Sequence, residues 1–278
     1  IGTSAPELMV TLNAALSGVP GLATGNVIGS NIANVLLVLG VSCLLSPIPG
    51  SEAAHLRDSI ILIGGSVLFV LLCLQGEIGP GSGGILLVVF AGFLISTYRL
   101  ETLDEKTAAG HIQEVEEITP LPAPAWAVAL AVVLGLAGVI WGAELLVEGG
   151  VAIAQALGIS EEIIGLTVVA LGTSLPELAA SMVAAFRGHS DIAIGNVVGS
   201  NLFNILGIAG LAAVVTPLPV AGNILSFDIW VMLGATALVL PILAGRWHPG
   251  RLSGVFFLTL YAGYIASNVF SAGLLGGG

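Results

Sequence analysis

The chain has 278 residues, of which 56% are hydrophobic and 8% are charged, and its mean hydropathy is +1.07. A water-soluble protein needs a more polar surface than this composition supplies, so we predict an integral membrane protein. The formal net charge is -11, but the chain contains only six Lys and Arg residues. These residues cannot form a basic surface for nucleic acid, and we expect no nucleic-acid partner.

Apolar segments of about 20 residues, the length that crosses a bilayer as a helix, recur along the chain between short turn-like breaks. A short span ends near Ser17. Eight complete spans follow, at 21–46, 57–75, 82–99, 124–156, 160–187, 191–216, 224–244 and 251–272. Asp228 lies near the start of its span and is predicted to cap that helix. The predicted fold class is an all-α polytopic membrane protein.

The polar stretch from Glu101 to Pro120 is long enough to connect two halves of the protein. Assigning the breaks to alternate sides of the membrane places every basic residue on one side. These residues are Arg57, Arg99, Lys106, Arg187, Arg246 and Arg251. Because Lys and Arg next to membrane spans stay in the cytoplasm, we predict that this side, with the acidic linker, is cytoplasmic.

The beginning of the chain recurs 170 positions later. Residues 1–40 and 171–210 align without gaps and share 19 identities. GTSAPEL at Gly2–Leu8 returns as GTSLPEL at Gly172–Leu178, and GNVIGSNIAN at Gly25–Asn34 returns as GNVVGSNLFN at Gly195–Asn204. An odd number of predicted spans separates the copies, so the repeats are predicted to be inverted. Inverted repeats are typical of secondary transporters, whose substrate sites lie near the bilayer midplane.

The second copy of the motif is preceded by more chain than the first. One complete span and half of another come before Gly172, whereas a single residue comes before Gly2. By symmetry, we expect an intact protein of ten spans in two five-helix repeats, with one and a half spans absent here. The predicted domains are a first repeat at 1–100, an acidic linker at 101–122 and a second repeat at 123–278. A chain that starts at Ile1 is not expected to transport by itself.

Each GTSxPE motif places a proline and a glutamate inside a predicted span. Proline removes a backbone donor and opens the helix, so carbonyl oxygens near Thr3 and Thr173 lose their helical partners. Glu7 and Glu177 directly follow the prolines. We expect each to lie close to these carbonyls and to the Ser and Thr hydroxyls of its own motif.

Two carboxylates at membrane depth require compensation. Each costs about 2.5 to 3.5 kcal/mol at the bilayer centre, which indicates a bound cation or a proton. Calcium takes six to eight oxygen ligands, and two Glu, two Thr carbonyls and neighbouring amides can supply them. The alternative is a pair of protonated glutamates that hydrogen bond across helices. If calcium binds, protons should compete with it at low pH.

The second motif, GNxxGSNxxN, places Ser and Asn four residues apart on one helix face. We predict that these side chains turn oxygens toward the Glu of their own repeat. They are Ser30 and Asn34 in the first repeat and Ser200 and Asn204 in the second.

The other polar and small residues of this motif predict helix packing. Glycines in GxxxG spacing let two helices approach closely, and we interpret Gly25, Gly29, Gly195 and Gly199 in this way. Four further asparagines lie on other faces, where they predict interhelical hydrogen bonds, with ion ligation as the alternative. They are Asn26, Asn31, Asn196 and Asn201.

At these two motifs the sequence resembles the cation/calcium antiporter superfamily, and within it the prokaryotic sodium/calcium exchangers. The resemblance extends over essentially the whole chain. It implies a ten-helix transporter of the inner (plasma) membrane that exchanges calcium for sodium by alternating access, without enzyme activity and without a cofactor. The implied calcium ligands are Glu7, Glu177 and the carbonyls of Thr3 and Thr173. The implied sodium-site residues are Ser4, Ser174, Ser30, Ser200, Asn34, Asn204 and the Ala170 carbonyl.

The resemblance also bears on the counter-ion. Several relatives, notably the potassium-dependent exchangers, have Asp where this chain has Asn204, so the resemblance favours potassium independence. A calcium/proton antiporter is an alternative with the same fold, although it often carries a GNxxE signature instead of GTSxPE. A passive cation channel is a further alternative, which inverted repeats with occluding glutamates disfavour. The sequence contains no HExxH, paired-Asp or nucleophile-elbow motif, so an intramembrane enzyme is not expected.

Overall fold

The computed structural model describes residues 2–47, 56–103, 124–156 and 158–275, which fold almost entirely into helices. The helices are α1 (Ala5–Leu16), α2 (Pro20–Leu45), α3 (Leu56–Cys73), α4 (Pro80–Leu103), α5 (Ala125–Ala156), α6 (Glu161–Thr173), α7 (Leu175–Phe186), α8 (Ser190–Val215), α9 (Ile224–Leu243) and α10 (Arg251–Leu275). Two short strands, β1 (Glu77–Ile78) and β2 (Leu218–Pro219), pair antiparallel. The predicted all-α fold class is confirmed.

The helices agree with the predicted membrane spans. Within the described residues, α2, α4, α8, α9 and α10 each contain a stretch long and apolar enough to cross a membrane. The bent pair α6 and α7 supplies one more if it counts as a single span, and α3 and α5 contain shorter apolar helices. Each helix begins and ends within a few residues of the ends of a predicted span, with α6 and α7 together matching the span predicted at 160–187. The protein is therefore a multi-pass integral membrane protein.

Helices α2 and α8, which carry the two copies of GNxxGSNxxN, form the centre of the molecule. In their apolar stretches 83% and 78% of the residues are buried, compared with 11% in α4. The apolar side chains of α4, such as Val88 and Ile95, point outward instead. This arrangement suits a bilayer, where apolar side chains face lipid and polar side chains face the protein interior.

Helix α2 crosses α6 at very short distance because glycines line the contact. A Cβ atom on Gly25 would lie 2.5 Å from the Glu162 carbonyl oxygen, and one on Gly165 would lie 2.5 Å from that of Leu22. Gly29 is similarly covered by Leu166 and Ala170. The packing interpretation is thus confirmed for Gly25 and Gly29. For Gly195 and Gly199 it is not seen, since no described atom lies within 4 Å of a Cβ built there.

Several helices contain a π-helical turn that the sequence pattern does not predict. In α2 it runs from Asn34 to Val38, in α6 from Gly165 to Val169, and in α8 from Phe203 to Ile208. Such turns shift the direction in which the following side chains project and are frequent at functional sites. Two of them begin at or beside the last asparagine of GNxxGSNxxN, Asn34 and Asn204.

The prediction that Asp228 caps its helix is wrong. Helix α9 begins four residues earlier, with a π-helical turn at Ile224–Asp228, so Asp228 lies inside the helix and makes no capping bond. Its carboxylate is buried and accepts hydrogen bonds from the Tyr264 hydroxyl at 2.9 Å and the Asn268 amide at 3.4 Å. Asp228 therefore joins α9 to α10.

Candidate ion-binding site

Both GTSxPE motifs form the start of a helix in the protein interior. Helices α6 and α7 meet at Ser174 with a bend of 42°, and Pro176 lies in the first turn of α7. Pro6 has the same position in α1. Glu7 and Glu177 therefore lie in the first turns of α1 and α7, where the helix N-terminus stabilises a carboxylate. Both are buried, with 1% and 0% of their surface exposed.

The Glu177 carboxylate is held by two hydroxyl groups. Its Oε1 atom accepts hydrogen bonds from Ser4 at 2.6 Å and from Ser200 at 3.3 Å. The two serine oxygens are 3.0 Å apart. Because Ser4 belongs to the first repeat and Ser200 to the second, the Glu177 site contains groups from both repeats.

The Glu7 carboxylate has the reciprocal partner. Its Oε1 atom accepts a hydrogen bond of 3.4 Å from Ser174, the residue equivalent to Ser4. The hydrogen bonds of these serines therefore join each glutamate to the GTSxPE motif of the other repeat. The start of α1 packs against Ala170–Thr173 at the end of α6, which brings each Ser to the Glu of the other repeat. The two glutamates are thus each bonded to a serine of the opposite GTSxPE motif.

Five buried side-chain atoms, on the two glutamates and on the last asparagine of each GNxxGSNxxN motif, have no hydrogen-bond partner in the described part of the chain. They are Oε2 of Glu7, Oε2 of Glu177, Oδ1 of Asn34, and Oδ1 and Nδ2 of Asn204. Buried polar atoms are normally paired, because leaving one unpaired costs about 1 to 3 kcal/mol. The unpaired oxygens come from the same two positions of each repeat. This symmetric set of free acceptors is what a bound cation requires.

The predicted site residues of the second motif behave differently in the two repeats. Ser200 contacts Glu177, as predicted. Ser30 instead donates to Asn26 at 3.4 Å and lies 3.4 Å from the Thr173 hydroxyl, so its predicted contact with Glu7 is not formed. The Asn34 amide donates to Asn201 at 3.1 Å. Asn34 and Asn204 thus leave their side-chain oxygens free without contacting either glutamate.

The remaining predicted ligands, Thr3, Thr173 and Ala170, also make contacts between or next to the two GTSxPE motifs. Both hydroxyls point to an asparagine of the opposite repeat: Thr3 donates to Asn196 at 3.4 Å and Thr173 to Asn26 at 3.2 Å. The Ala170 carbonyl accepts from the Ser174 N–H at 3.1 Å and lies 3.4 Å from the Thr173 hydroxyl.

The predicted interhelical role is confirmed for three of the four remaining asparagines. Asn26 and Asn196 bond to residues of other helices, and the Asn201 amide donates to the Asn31 carbonyl at 3.3 Å. The Asn31 amide instead donates to Val27 within its own helix, at 2.8 Å.

The chemistry of the site is that of neutral and anionic oxygen atoms. The described residues contain no group of three or more His, Cys, Asp or Glu that could hold a metal ion. A cation at Glu7 and Glu177 would therefore be held by two carboxylates together with hydroxyl, amide and carbonyl oxygens. This donor set suits hard cations such as calcium and sodium rather than zinc or copper.

The chain matches the family model described as sodium/calcium exchanger protein, over residues 1–99 and 127–270. This match covers most of the chain and includes both copies of each motif. The chain belongs to the sodium/calcium exchanger protein family. Membership of this family confirms the prediction of a membrane transporter rather than an enzyme.

Relatives of known name and structure cover nearly the whole chain. A protein described as putative antiporter CaxA, from Alkalimonas amylolytica, is 37% identical over 95% of this chain and 83% of its own length. Sodium/calcium exchanger MaX1 from Methanosarcina acetivorans is 30% identical over 95% of this chain and 85% of its own length. A solved structure of the sodium-calcium exchanger NCX_Mj, soaked with sodium and calcium, superposes with a TM-score of 0.73 at 33% identity, covering 96% of this chain and 83% of that one.

Proposed function

We propose that this protein is a secondary active antiporter that exchanges calcium for sodium across a membrane. The observation that carries the proposal is the symmetric set of unpaired buried oxygens on Glu7, Glu177, Asn34 and Asn204. Two of these residues are buried carboxylates, and a divalent cation bound to both would offset their negative charges in the membrane interior. The printed names of the relatives MaX1 and NCX_Mj favour the same two ions.

Calcium is assigned to the centre of the site. Glu7 and Glu177 supply carboxylate oxygens, and the carbonyls of Thr3 and Thr173 lie where each proline opens the helix. These groups, with water or neighbouring amides, can reach the six to eight oxygens that calcium takes. Sodium is assigned to the surrounding hydroxyl, amide and carbonyl oxygens. These belong to Ser4, Ser174, Ser30, Ser200, Asn34, Asn204 and Ala170.

The two ions use neighbouring ligands, which couples the two movements. Ser4, Ser200 and Ser174, assigned to sodium, bond directly to the glutamates assigned to calcium. Bound sodium therefore places positive charge beside the calcium position, and the two ions exclude each other. The repeats at 1–100 and 123–278, if inverted, can exchange conformations and thereby open the site to alternate sides of the membrane. An exchanger follows from these two properties, whereas a channel would need the site open to both sides at once.

The orientation and location follow from the basic residues. We infer that the loop at 101–122 and the ends bearing Arg187, Arg246 and Arg251 face the cytoplasm, with the protein in the plasma membrane of a prokaryote. Asn204 in place of an acid favours exchange without potassium.

Flux measurements on the intact protein, with all ten expected spans, in proteoliposomes test the proposal. Calcium uptake is followed under an imposed sodium gradient, then under a proton gradient, and finally with no gradient. We expect uptake with the sodium gradient alone, unchanged by potassium. Uptake driven by protons would instead indicate a calcium/proton antiporter, and uptake without a counter-ion would indicate a channel.

Lowering the pH should inhibit this uptake. Protonation neutralises Glu7 and Glu177 and so removes the charges that hold calcium. We expect sodium-driven calcium uptake, measured between about pH 5 and 8 with the sodium gradient held constant, to fall toward the acidic end. A flat profile would contradict the assignment of calcium to these carboxylates.

A further inference from the structure

Asn26 and Asn196 make the same contacts in the two repeats. The amide nitrogen of Asn26 donates to the Thr11 hydroxyl at 2.9 Å, and that of Asn196 donates to the Ser181 hydroxyl at 2.9 Å. Each nitrogen also approaches the main-chain carbonyl of the glutamate in its own repeat, at 3.5 Å from Glu7 and 3.3 Å from Glu177. Each asparagine is thus bonded to the helix that carries the glutamate of its repeat.

The other end of each amide contacts the opposite repeat. Oδ1 of Asn26 accepts from the Thr173 hydroxyl at 3.2 Å, and Oδ1 of Asn196 accepts from the Thr3 hydroxyl at 3.4 Å. Thr3 and Thr173 lie just before the proline of GTSxPE, where the helix opens. A single side chain therefore links the glutamate helix of one repeat to the threonine of the other.

This arrangement disfavours ion ligation by the two asparagines. Oδ1 of Asn26 accepts two hydrogen bonds, from Thr173 and Ser30, which use both of its lone pairs, and Oδ1 of Asn196 accepts one from Thr3. The amide nitrogens are donors and cannot bind a cation. Both asparagines are also missing from the set of unpaired buried atoms around the glutamates.

We propose that Asn26 and Asn196 are positioning residues that fix the glutamate helix of one repeat relative to the threonine of the other. Through Thr173, Asn26 sets the backbone that turns its carbonyl oxygens toward the ion, and Asn196 does the same through Thr3. The inference rests on the proposed function only in taking calcium as the ion that binds. Asn26 is fully buried and Asn196 only partly buried. Loss of the Asn26 link should therefore raise the calcium Kd more than loss of the Asn196 link.

A double-mutant cycle across the repeats tests this inference, with the calcium Kd of the purified protein as the readout. Asn26→Ala should raise the Kd about tenfold, in the range of one lost buried hydrogen bond. Thr173→Val removes only the hydroxyl and should raise the Kd about fivefold. Because the two side chains share one contact, the double variant should remain near the tenfold effect of Asn26→Ala alone.

The matched cycle uses a threonine that Asn26 does not touch. Asn26→Ala combined with Thr3→Val should multiply the two single effects, because Thr3 bonds to Asn196 instead. Thr173→Ser retains the hydroxyl and should restore the calcium Kd to near the wild-type value. Multiplicative effects in the Asn26 and Thr173 cycle would overturn the proposal.

Asn31→Ala separates positioning from simple loss of stability. Asn31 is a buried asparagine of the same helix, but its amide bonds within that helix. The substitution should lower the melting temperature and leave the calcium Kd unchanged. If Asn26→Ala also lowered only the melting temperature, a positioning role would be excluded.

Binding of calcium alone, without a gradient, also separates this inference from the exchange function. Wild-type protein that binds calcium but shows no sodium-driven uptake would overturn the exchange function while the cycle still reports on Asn26. Sodium-driven exchange, together with multiplicative effects of the Asn26 and Thr173 substitutions, would overturn only the positioning role. Wild-type protein that binds no calcium would overturn both.

Discussion

Glu7 and Glu177 have equivalent positions in the repeat, yet their carboxylates have different surroundings. Glu177 accepts hydrogen bonds from Ser4 and Ser200, the shorter at 2.6 Å, whereas Glu7 accepts one of 3.4 Å from Ser174. The difference arises at Ser30, the counterpart of Ser200, which donates to Asn26 instead of to Glu7. Nearly identical motifs thus form two unequal half-sites in one conformation. Such inequality is what an exchange of conformations between the repeats would invert.

Helices α2 and α4 differ in how closely they are packed. Around Gly25 and Gly29, α2 is in close contact with α6, whereas Gly92 lies on the exposed side of α4, where no described atom is within 4 Å of a Cβ built there. The contact between α2 and α6 can therefore be compared with an open helix surface by substitution.

Neutralising either glutamate should have the largest effect. Removing one member of a buried charged group costs about 3 to 5 kcal/mol, so Glu7→Gln and Glu177→Gln should each reduce sodium-driven calcium uptake by about a hundredfold or more. Glu77→Gln, at an exposed glutamate of β1, serves as the control and should transport normally. If one of the two buried variants kept near-normal uptake, the half-sites would not share a single ion.

The serine contacts test the inequality itself. Ser4→Ala removes the short bond to Glu177 and should raise the calcium Kd about tenfold, because hydrogen bonds to a charged group contribute about 1.5 to 3 kcal/mol. Ser174→Ala removes the weaker hydrogen bond of 3.4 Å to Glu7 and should raise the calcium Kd by about threefold or less. Equal effects of the two substitutions, measured by calcium titration, would show that the half-sites are equivalent when calcium binds.

The glycine faces should give the smallest effect, on stability. Gly29→Ala places a Cβ atom 2.5 Å from the Leu166 carbonyl oxygen and should cost about 1 to 3 kcal/mol, because tightly packed backbone cannot easily move away. Gly92→Ala, on the exposed side of α4, meets no described atom and should change the free energy of unfolding by less than about 1 kcal/mol. Thermal unfolding in detergent compares the two variants. Equal destabilisation would show that the contact between α2 and α6 is no tighter than an open helix surface.

The sequence predicted the large features of the molecule because they depend on composition and on repetition. Segment length and hydropathy located the helices to within a few residues, and the copied motifs identified Glu7 and Glu177 as a pair. The crossed contacts of Ser4 and Ser174 could not be predicted, since they depend on how α1 packs against the end of α6. The sequence pattern placed each serine beside the glutamate one turn away in its own motif, and the structure placed it beside the other glutamate.

Two further features lie outside what a periodic pattern can show. The π-helical turns at Asn34–Val38 and Phe203–Ile208 change which direction a side chain faces without changing its residue type. Asp228 looked like a helix cap because it follows a polar break, but a π-helical turn extends the helix before it. Its partners Tyr264 and Asn268 lie a whole helix away in the sequence.

We propose that Glu7 and Glu177 bind one calcium ion together and that sodium bound to the neighbouring oxygens competes with it. Equilibrium binding of radioactive calcium to the purified protein, at increasing sodium concentrations, tests it most directly. We expect one calcium ion bound per chain, with an affinity that falls steeply as the sodium concentration rises. Two independent calcium ions per chain, or binding that sodium does not weaken, would contradict it.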